Sequence, residues 1–116
     1  MAEGFRELHV WQRSIELAEA IYRLTKDFPR EELYGLTSQL RRAGISVASN
    51  IAEGWGRKSN GEYKQFLGMA NGSNAEVQTQ VIIARRLGFG AEPDRAAVES
   101  LASEVNRMLA ALMRTL

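Results

Sequence analysis

The sequence predicts an all-α protein, an antiparallel up-and-down four-helix bundle, with residues 1–116 forming a single domain. Three observations lead there. Apolar residues recur in steps of three and four along four separate stretches. The two prolines, Pro29 and Pro93, fall between those stretches, and no run of alternating β-branched residues marks a strand. A chain of 116 residues with 45% hydrophobic content can bury one core and is too short for a second.

The first stripe is Leu8, Trp11, Ile15, Ala18, Tyr22 and Thr25, which share one face of a helix. It stops before Phe28, because Pro29 disfavours helical geometry in the residue ahead of it. A second helix begins near Thr37 and carries Leu36, Leu40, Ala43, Val47, Ile51 and Gly54 on one side, until Gly54 Trp55 Gly56 interrupts the pattern. The third opens at Ser59, which stands three residues before Glu62 in the spacing of a capping box. Its stripe is Tyr63, Phe66, Leu67, Ala70, Val77, Val81 and Ala84, and Leu87 Gly88 Phe89 Gly90 is its exit. The fourth starts at Pro93 Asp94 and presents Val98, Leu101, Val105, Met108 and Leu112 at heptad-like spacing. Four rods of roughly 20 residues, each about 30 Å long and joined by short connections, are most simply placed with sequence neighbours side by side.

Several features exceed what such a bundle needs alone. At about 100° per residue, Ile45, Ala48 and Ala52 lie nearly opposite the core stripe of the second helix. The third helix has a second stripe, Met69, Ser73, Glu76, Gln80, Ile83 and Leu87, and a third side with Gly61, Gly68 and Gly72. A helix-interior glycine costs about 1 kcal/mol relative to alanine. Either Asn71 Gly72 Ser73 breaks this helix, or the glycines admit another backbone, and the second reading predicts self-association. Arg42, Ser46, Ser49 and Glu53 run between the apolar and solvent sides of the second helix, with Asn50 inside the apolar arc. Partly buried groups of this kind need partners. Arg42, Asn50, Glu53, Ser73 and Glu76 are therefore read as a structural polar network, with Arg42, Arg57 or Ser73 expected to satisfy Asn50 and Glu53; a ligand site is the competing reading.

The formal net charge is +1, with five basic and seven acidic side chains over residues 1–36, seven and three over 37–90, and three and four over 91–116. Arg41, Arg42, Arg57, Lys58, Lys64, Arg85 and Arg86 supply the central excess and are the candidate contacts to RNA or DNA. A merely solvated face is the alternative. Trp55, between two glycines at the corner of helices two and three, is either a cap on the core or an aromatic anchor for another protein.

Many chemistries are excluded. The chain has no cysteine, hence no disulfide and no thiolate metal site. The segment from Met1 to Glu7 lacks an apolar signal core, and no stretch reaches the roughly 18 apolar residues of a membrane span, so a cytoplasmic protein without a membrane partner is expected. A di-iron bundle needs Glu-x-x-His pairs, but His9 is the only histidine and Arg6 stands three residues before it. Phosphate-loop, His-Glu-x-x-His and Gly-x-Ser-x-Gly motifs are absent, and no serine has a histidine near it in sequence except at the start of the first helix. Glu53 and Glu76 are the remaining acid–base pair, for which a salt-linked structural role is the better reading. No catalytic residue, metal or cofactor is expected.

Separated motifs then converge. Leu8 His9 Val10 Trp11 Gln12, Phe28 Pro29, Glu32, Tyr34 Gly35 Leu36, Gln39 Leu40 Arg41 Arg42 Ala43 and Asn50 Ile51 Ala52 Glu53 Gly54 are followed by Tyr63, Phe66 Leu67, Ala70, Gly72 Ser73, Glu76 and Thr79 Gln80. Over about residues 5–90 this set resembles the four-helix bundle proteins first met inside intervening sequences of bacterial 23S ribosomal RNA genes; the last helix matches in kind only. The resemblance implies a four-helix fold, a ring-like homopentamer and a link to nucleic acid. The accessory proteins of diversity-generating retroelements are similar in fold, form such pentamers, and bind nucleic acid and a reverse transcriptase through basic surfaces.

Overall fold

The computed structural model describes residues 4–116; the first three residues of the amino-terminal segment lie outside it. Four helices follow one another: α1 (His9–Thr25), α2 (Leu36–Trp55), α3 (Asn60–Leu87) and α4 (Glu92–Arg114), with single 3₁₀ turns at Phe5–Glu7 and Arg30–Glu32. Each helix packs on its sequence neighbours and α1 also packs on α4, which closes a four-membered ring of antiparallel rods. The body measures 43 × 23 × 21 Å. Its long axis is the length expected of the 28-residue α3.

The stripes read for α2, α3 and α4 face the core. Leu40, Val47 and Ile51, Leu67, Val77 and Val81, and Val98 and Val105 are fully buried, while Leu101, Met108 and Leu112 of the α4 stripe are half-buried against the core and Ala102 and Leu109, outside that stripe, are fully buried. On α1 the stripe is turned by one residue. Val10, Leu17, Ile21 and Leu24 are buried, whereas Ile15 and Ala18 are half-buried and Tyr22 is exposed. Ser14 hides this face in the sequence. It is completely buried because its hydroxyl donates to the Trp11 carbonyl at 2.6 Å, so a polar residue occupies a core position without an unmet hydrogen bond.

Ala48 is buried as well, so the side of α2 that carries it is not a spare face. One turn earlier, a Cβ on Gly44 would stand 2.5 Å from Ile21 Cδ1 and 3.8 Å from Ala18 Cα. This side of α2 is the seam with α1; among its three residues, only Ile45 is exposed.

Both ends of α3 follow their sequence signals. Ser59 Oγ accepts the Glu62 amide at 3.2 Å. At the exit Gly88 takes φ 74° and the Phe89 amide reaches back to the Ala84 carbonyl at 2.9 Å, the geometry that satisfies the last carbonyls of a helix. Phe89 then meets Phe28 with ring centroids 5.8 Å apart, which closes that end of the core. Arg95 fastens the turn by donating to the carbonyls of Phe89 and Gly90, both at 2.6 Å. Between α3 and α4, Asn74 is 1% exposed and donates to the Ala102 carbonyl at 2.8 Å.

Arg85 pairs with both Glu92 and Glu99 of α4. Its guanidinium, with help from Arg95, holds the Glu92 carboxyl below the usual carboxylate range. A carboxyl lowered in the folded state stabilises above its unfolded pKa, about 4.3, and loses that contribution as pH falls through the lowered value. Protection of the first-turn amides of α4, taken relative to their intrinsic exchange at each pH, is therefore expected to fall in acid, and in high salt at neutral pH because the pair is exposed. A Glu92→Gln variant should exchange faster at neutral pH and lose most of the acid response.

Candidate functional site

Between α2 and α3 the backbone register brings short polar residues face to face. Ser73 Oγ donates to Ser46 Oγ at 2.9 Å, and Asn50 Nδ2 donates to the carbonyl and hydroxyl oxygens of Ser46, both at 2.9 Å. Asn50 is thus satisfied one turn back on its own helix. Glu53 does pair with Arg57, at 3.1 Å across one helical turn, but both side chains are exposed and stand apart from the serines. Beside the serine bridge opens a polar cleft of about 330 Å³, lined by Gln39, Arg42, Ser46, Ser73, Glu76 and Gln80. Arg42 and Glu76 are exposed on its rim rather than buried, and Ser49 is exposed too. Gln80 Oε1 is buried there without a hydrogen-bond partner.

The five residues grouped by the sequence therefore separate into three places: Asn50 and Ser73 around Ser46, Glu53 on Arg57, and Arg42 with Glu76 on the cleft rim. Glu53 is not in the cleft, so the two carboxylates considered for acid–base work do not share a pocket. Among the described residues no group of three or more His, Cys, Asp or Glu side chains could hold a metal ion. His9, the first residue of α1, is exposed and lines a separate groove with Arg13, Glu16, Glu104 and Met108. No helix of the described residues is long and apolar enough to cross a membrane.

The seven central cations differ in what already engages them. Arg85 is neutralised by two carboxylates. Arg41 Nε donates to Thr25 Oγ1 at 2.8 Å, and its guanidinium lies 4.5 Å over the Tyr22 ring. Arg57 holds Glu53 and lies 4.5 Å over Phe66. Arg42, Lys58, Lys64 and Arg86 are exposed and make no ion pair among the described residues. These four do not form one patch, because Lys64 and Arg86 sit at opposite ends of α3, about 33 Å apart along its axis. The densest grouping along the chain is the α2–α3 corner, where Arg57 and Lys58 follow Trp55 and Lys64 lies in the first turns of α3. Trp55 is 37% exposed, and its indole stands edge-on to Tyr63 with centroids 6.1 Å apart.

On α3, Met69, Ile83 and Leu87 of the second stripe are exposed, while Ser73 of the same stripe is buried. The helix is unbroken through Asn71 Gly72 Ser73. A Cβ on Gly68 or Gly72 would meet nothing within 4 Å. A further apolar groove, formed by Tyr22, Leu33, Tyr34 and Ile45, has no signal in helical periodicity, because Leu33 and Tyr34 belong to the turn before α2.

The sequence pattern of the 23S rRNA-intervening sequence proteins matches residues 6–111. The chain belongs to that family. The match reaches past the motifs that end near residue 90, so α4 is part of what this 23S rRNA-intervening sequence protein shares with its relatives. No curated protein matches it in sequence. Among solved structures, a protein of unknown function from Bacteroides thetaiotaomicron, placed in a ribosomal protein family, superposes with a TM-score of 0.82 at 22% identity, covering 90% of this chain and 95% of its own. That likeness is one of fold. Neither the family description nor the description of the solved structure names an enzymatic activity.

Proposed function

We propose that this chain is a non-enzymatic, homo-oligomeric binding protein of the cytoplasm, with residues 1–116 acting as one domain, assembled as a ring of five and contacting RNA or DNA through its basic surface. The observation that carries the assembly is on α3: Met69, Ile83 and Leu87 are exposed beside Gly68 and Gly72, whose missing side chains leave open space. An apolar stripe next to a bare backbone fits a neighbouring copy, and a head-to-tail contact of this kind closes into a ring. Five copies follow the family resemblance, as does the kinship to retroelement accessory proteins. Arg42, Lys58, Lys64 and Arg86 remain free to meet phosphates, and a ring repeats them around its rim.

A glycine-to-leucine change at Gly68 separates fold from assembly. Leucine favours a helix by about 0.8 kcal/mol over glycine and meets nothing in the isolated chain, so the helical spectrum should be kept and the melting temperature of the monomer raised by a few degrees. Light scattering should move from about five times 12.9 kDa toward a single chain. A wild-type particle that stays at one chain mass at high concentration removes the assembly. Binding to an RNA or DNA oligomer should weaken steeply with salt; no retention at low ionic strength removes the nucleic-acid reading. The Tyr22, Leu33, Tyr34 and Ile45 groove, with Tyr34 93% exposed, favours a second reading in which the partner is another protein and nucleic acid plays no part.

A further inference from the structure

The α2–α3 corner differs from the other basic positions in combining free cations with a held aromatic ring. Gly54 lets the two helices close tightly here, since a Cβ on it would stand 2.8 Å from Phe66 Cβ and 3.0 Å from Tyr63 Cδ1. The turn is tied by the Arg57 amide to the Gly54 carbonyl at 3.1 Å and by Ser59 at the start of α3. Trp55, braced at a right angle by Tyr63, thus has a fixed indole with part of its surface in solvent. Arg57 is engaged by Glu53 and Phe66, which leaves Lys58 three residues beyond Trp55 and Lys64 in the first turns of α3 as the unpaired charges. Glu62 is the other exposed carboxylate of that turn.

We propose that this corner is a stacking site for single-stranded RNA or DNA, in which one unpaired base lies on the exposed indole of Trp55 and the neighbouring phosphates reach Lys58 and Lys64. The proposal rests on the nucleic-acid reading above and narrows it to a strand class and a place. Two free lysines give a small electrostatic contribution, so a second source of affinity is needed; base–aromatic stacking supplies one that tolerates any sequence. A duplex keeps its base faces covered by their neighbours and would offer the corner only backbone. A polypeptide anchor is a poorer match, because hot-spot aromatics insert into desolvated apolar pockets, whereas Trp55 is bordered by Gly56, Arg57 and Lys58, and covering Lys58 with protein would strip a charge of water.

The test uses the full chain, 12-nucleotide oligo-dT and oligo-U strands, and a blunt-ended duplex of two annealed strands, with tryptophan fluorescence and anisotropy as readouts. Quenching by either single strand supports the site, and the ratio of the two affinities identifies the preferred sugar. Trp55→Leu keeps an apolar contact for Tyr63 and should weaken single-strand binding about 5- to 150-fold, while Trp11 remains as a fluorescent control. Lys58→Gln with Lys64→Gln should lower the salt slope by about 1.4. If wild-type binds and Trp55→Leu binds equally well with an unchanged helical spectrum, stacking is overturned while the broader nucleic-acid reading stands. Binding of the blunt-ended duplex as tight as that of the single strands also overturns stacking. No binding to any probe at low salt overturns both and leaves Trp55 to a polypeptide partner.

Discussion

A Gly90→Ala variant is expected to lose about 2–5 kcal/mol of stability, measured by urea unfolding, against about 1–2 kcal/mol for Gly88→Ala. Both glycines are left-handed, with φ of 76° and 74°, so each substitution carries the penalty of about 1–2 kcal/mol for a Cβ in that region. Their surroundings differ. At Gly88 nothing lies within 4 Å of the added carbon, whereas at Gly90 it would stand 2.5 Å from Leu24 Cδ1, 3.1 Å from Phe28 Cε1 and 3.3 Å from the Leu24 carbonyl oxygen. The leucine tip can turn aside, but the carbonyl and the Phe28 ring, itself packed on Phe89, leave little room. Overpacking of this kind adds about 1–3 kcal/mol. Against a usual total of about 5–15 kcal/mol, the Gly90 loss is a large share of the fold. Equal costs at the two sites would mean that the turn does not seat against α1 as described.

This turn was legible in the sequence as a helix exit, since two glycines around an aromatic have few other uses. What Gly90 packs against was not, because Leu24 in α1 and Phe28 in the turn after it lie more than 60 residues earlier. The same division runs through the molecule. The stripes of α2 and α3 emerge from spacing alone because their core positions are apolar, and that of α4 does so in part, since Ala102 and Leu109 beside it complete the core; α1 is misread by one residue because Ser14 meets its hydrogen-bond need locally and then occupies a core position. Among the candidate site residues, the Glu53–Arg57 pair is readable at four-residue spacing. The bond from Asn50 to Ser46 has that spacing too and could have been read. The engagement of Arg85 by Glu92 and Glu99, and of Arg41 by Thr25, depends on which helix lies alongside. Sequence can therefore name the cations of a basic surface, but tertiary packing decides which of them remain free.

Asn74 left no sequence signal and carries the other large effect. It lies within the apolar stripe of α3, one turn from both Ala70 and Val77, and its amide donates to the Ala102 carbonyl while Oδ1 is buried without a partner. Asn74→Asp keeps the shape but replaces the donor with a carboxylate facing a carbonyl oxygen. Burial disfavours the charged form, so the folded pKa should rise well above the unfolded value of about 3.9. For an acid shifted in this direction the unfolded state binds fewer protons between the two values, and stability falls as pH rises. Near pH 4 the protonated side chain can still donate to Ala102, and the variant should lie close to wild-type. Each pH unit above that should remove about 1.4 kcal/mol until the folded pKa is reached, which amounts to about 4 kcal/mol by pH 7 for a shift of three units. Urea unfolding of both proteins at pH 4, 5, 6 and 7 measures the difference directly, with other titrating groups cancelling. A deficit that does not change across this range would place residue 74 in water, and with it would go the α3–α4 register that Asn74 fixes against Ala102.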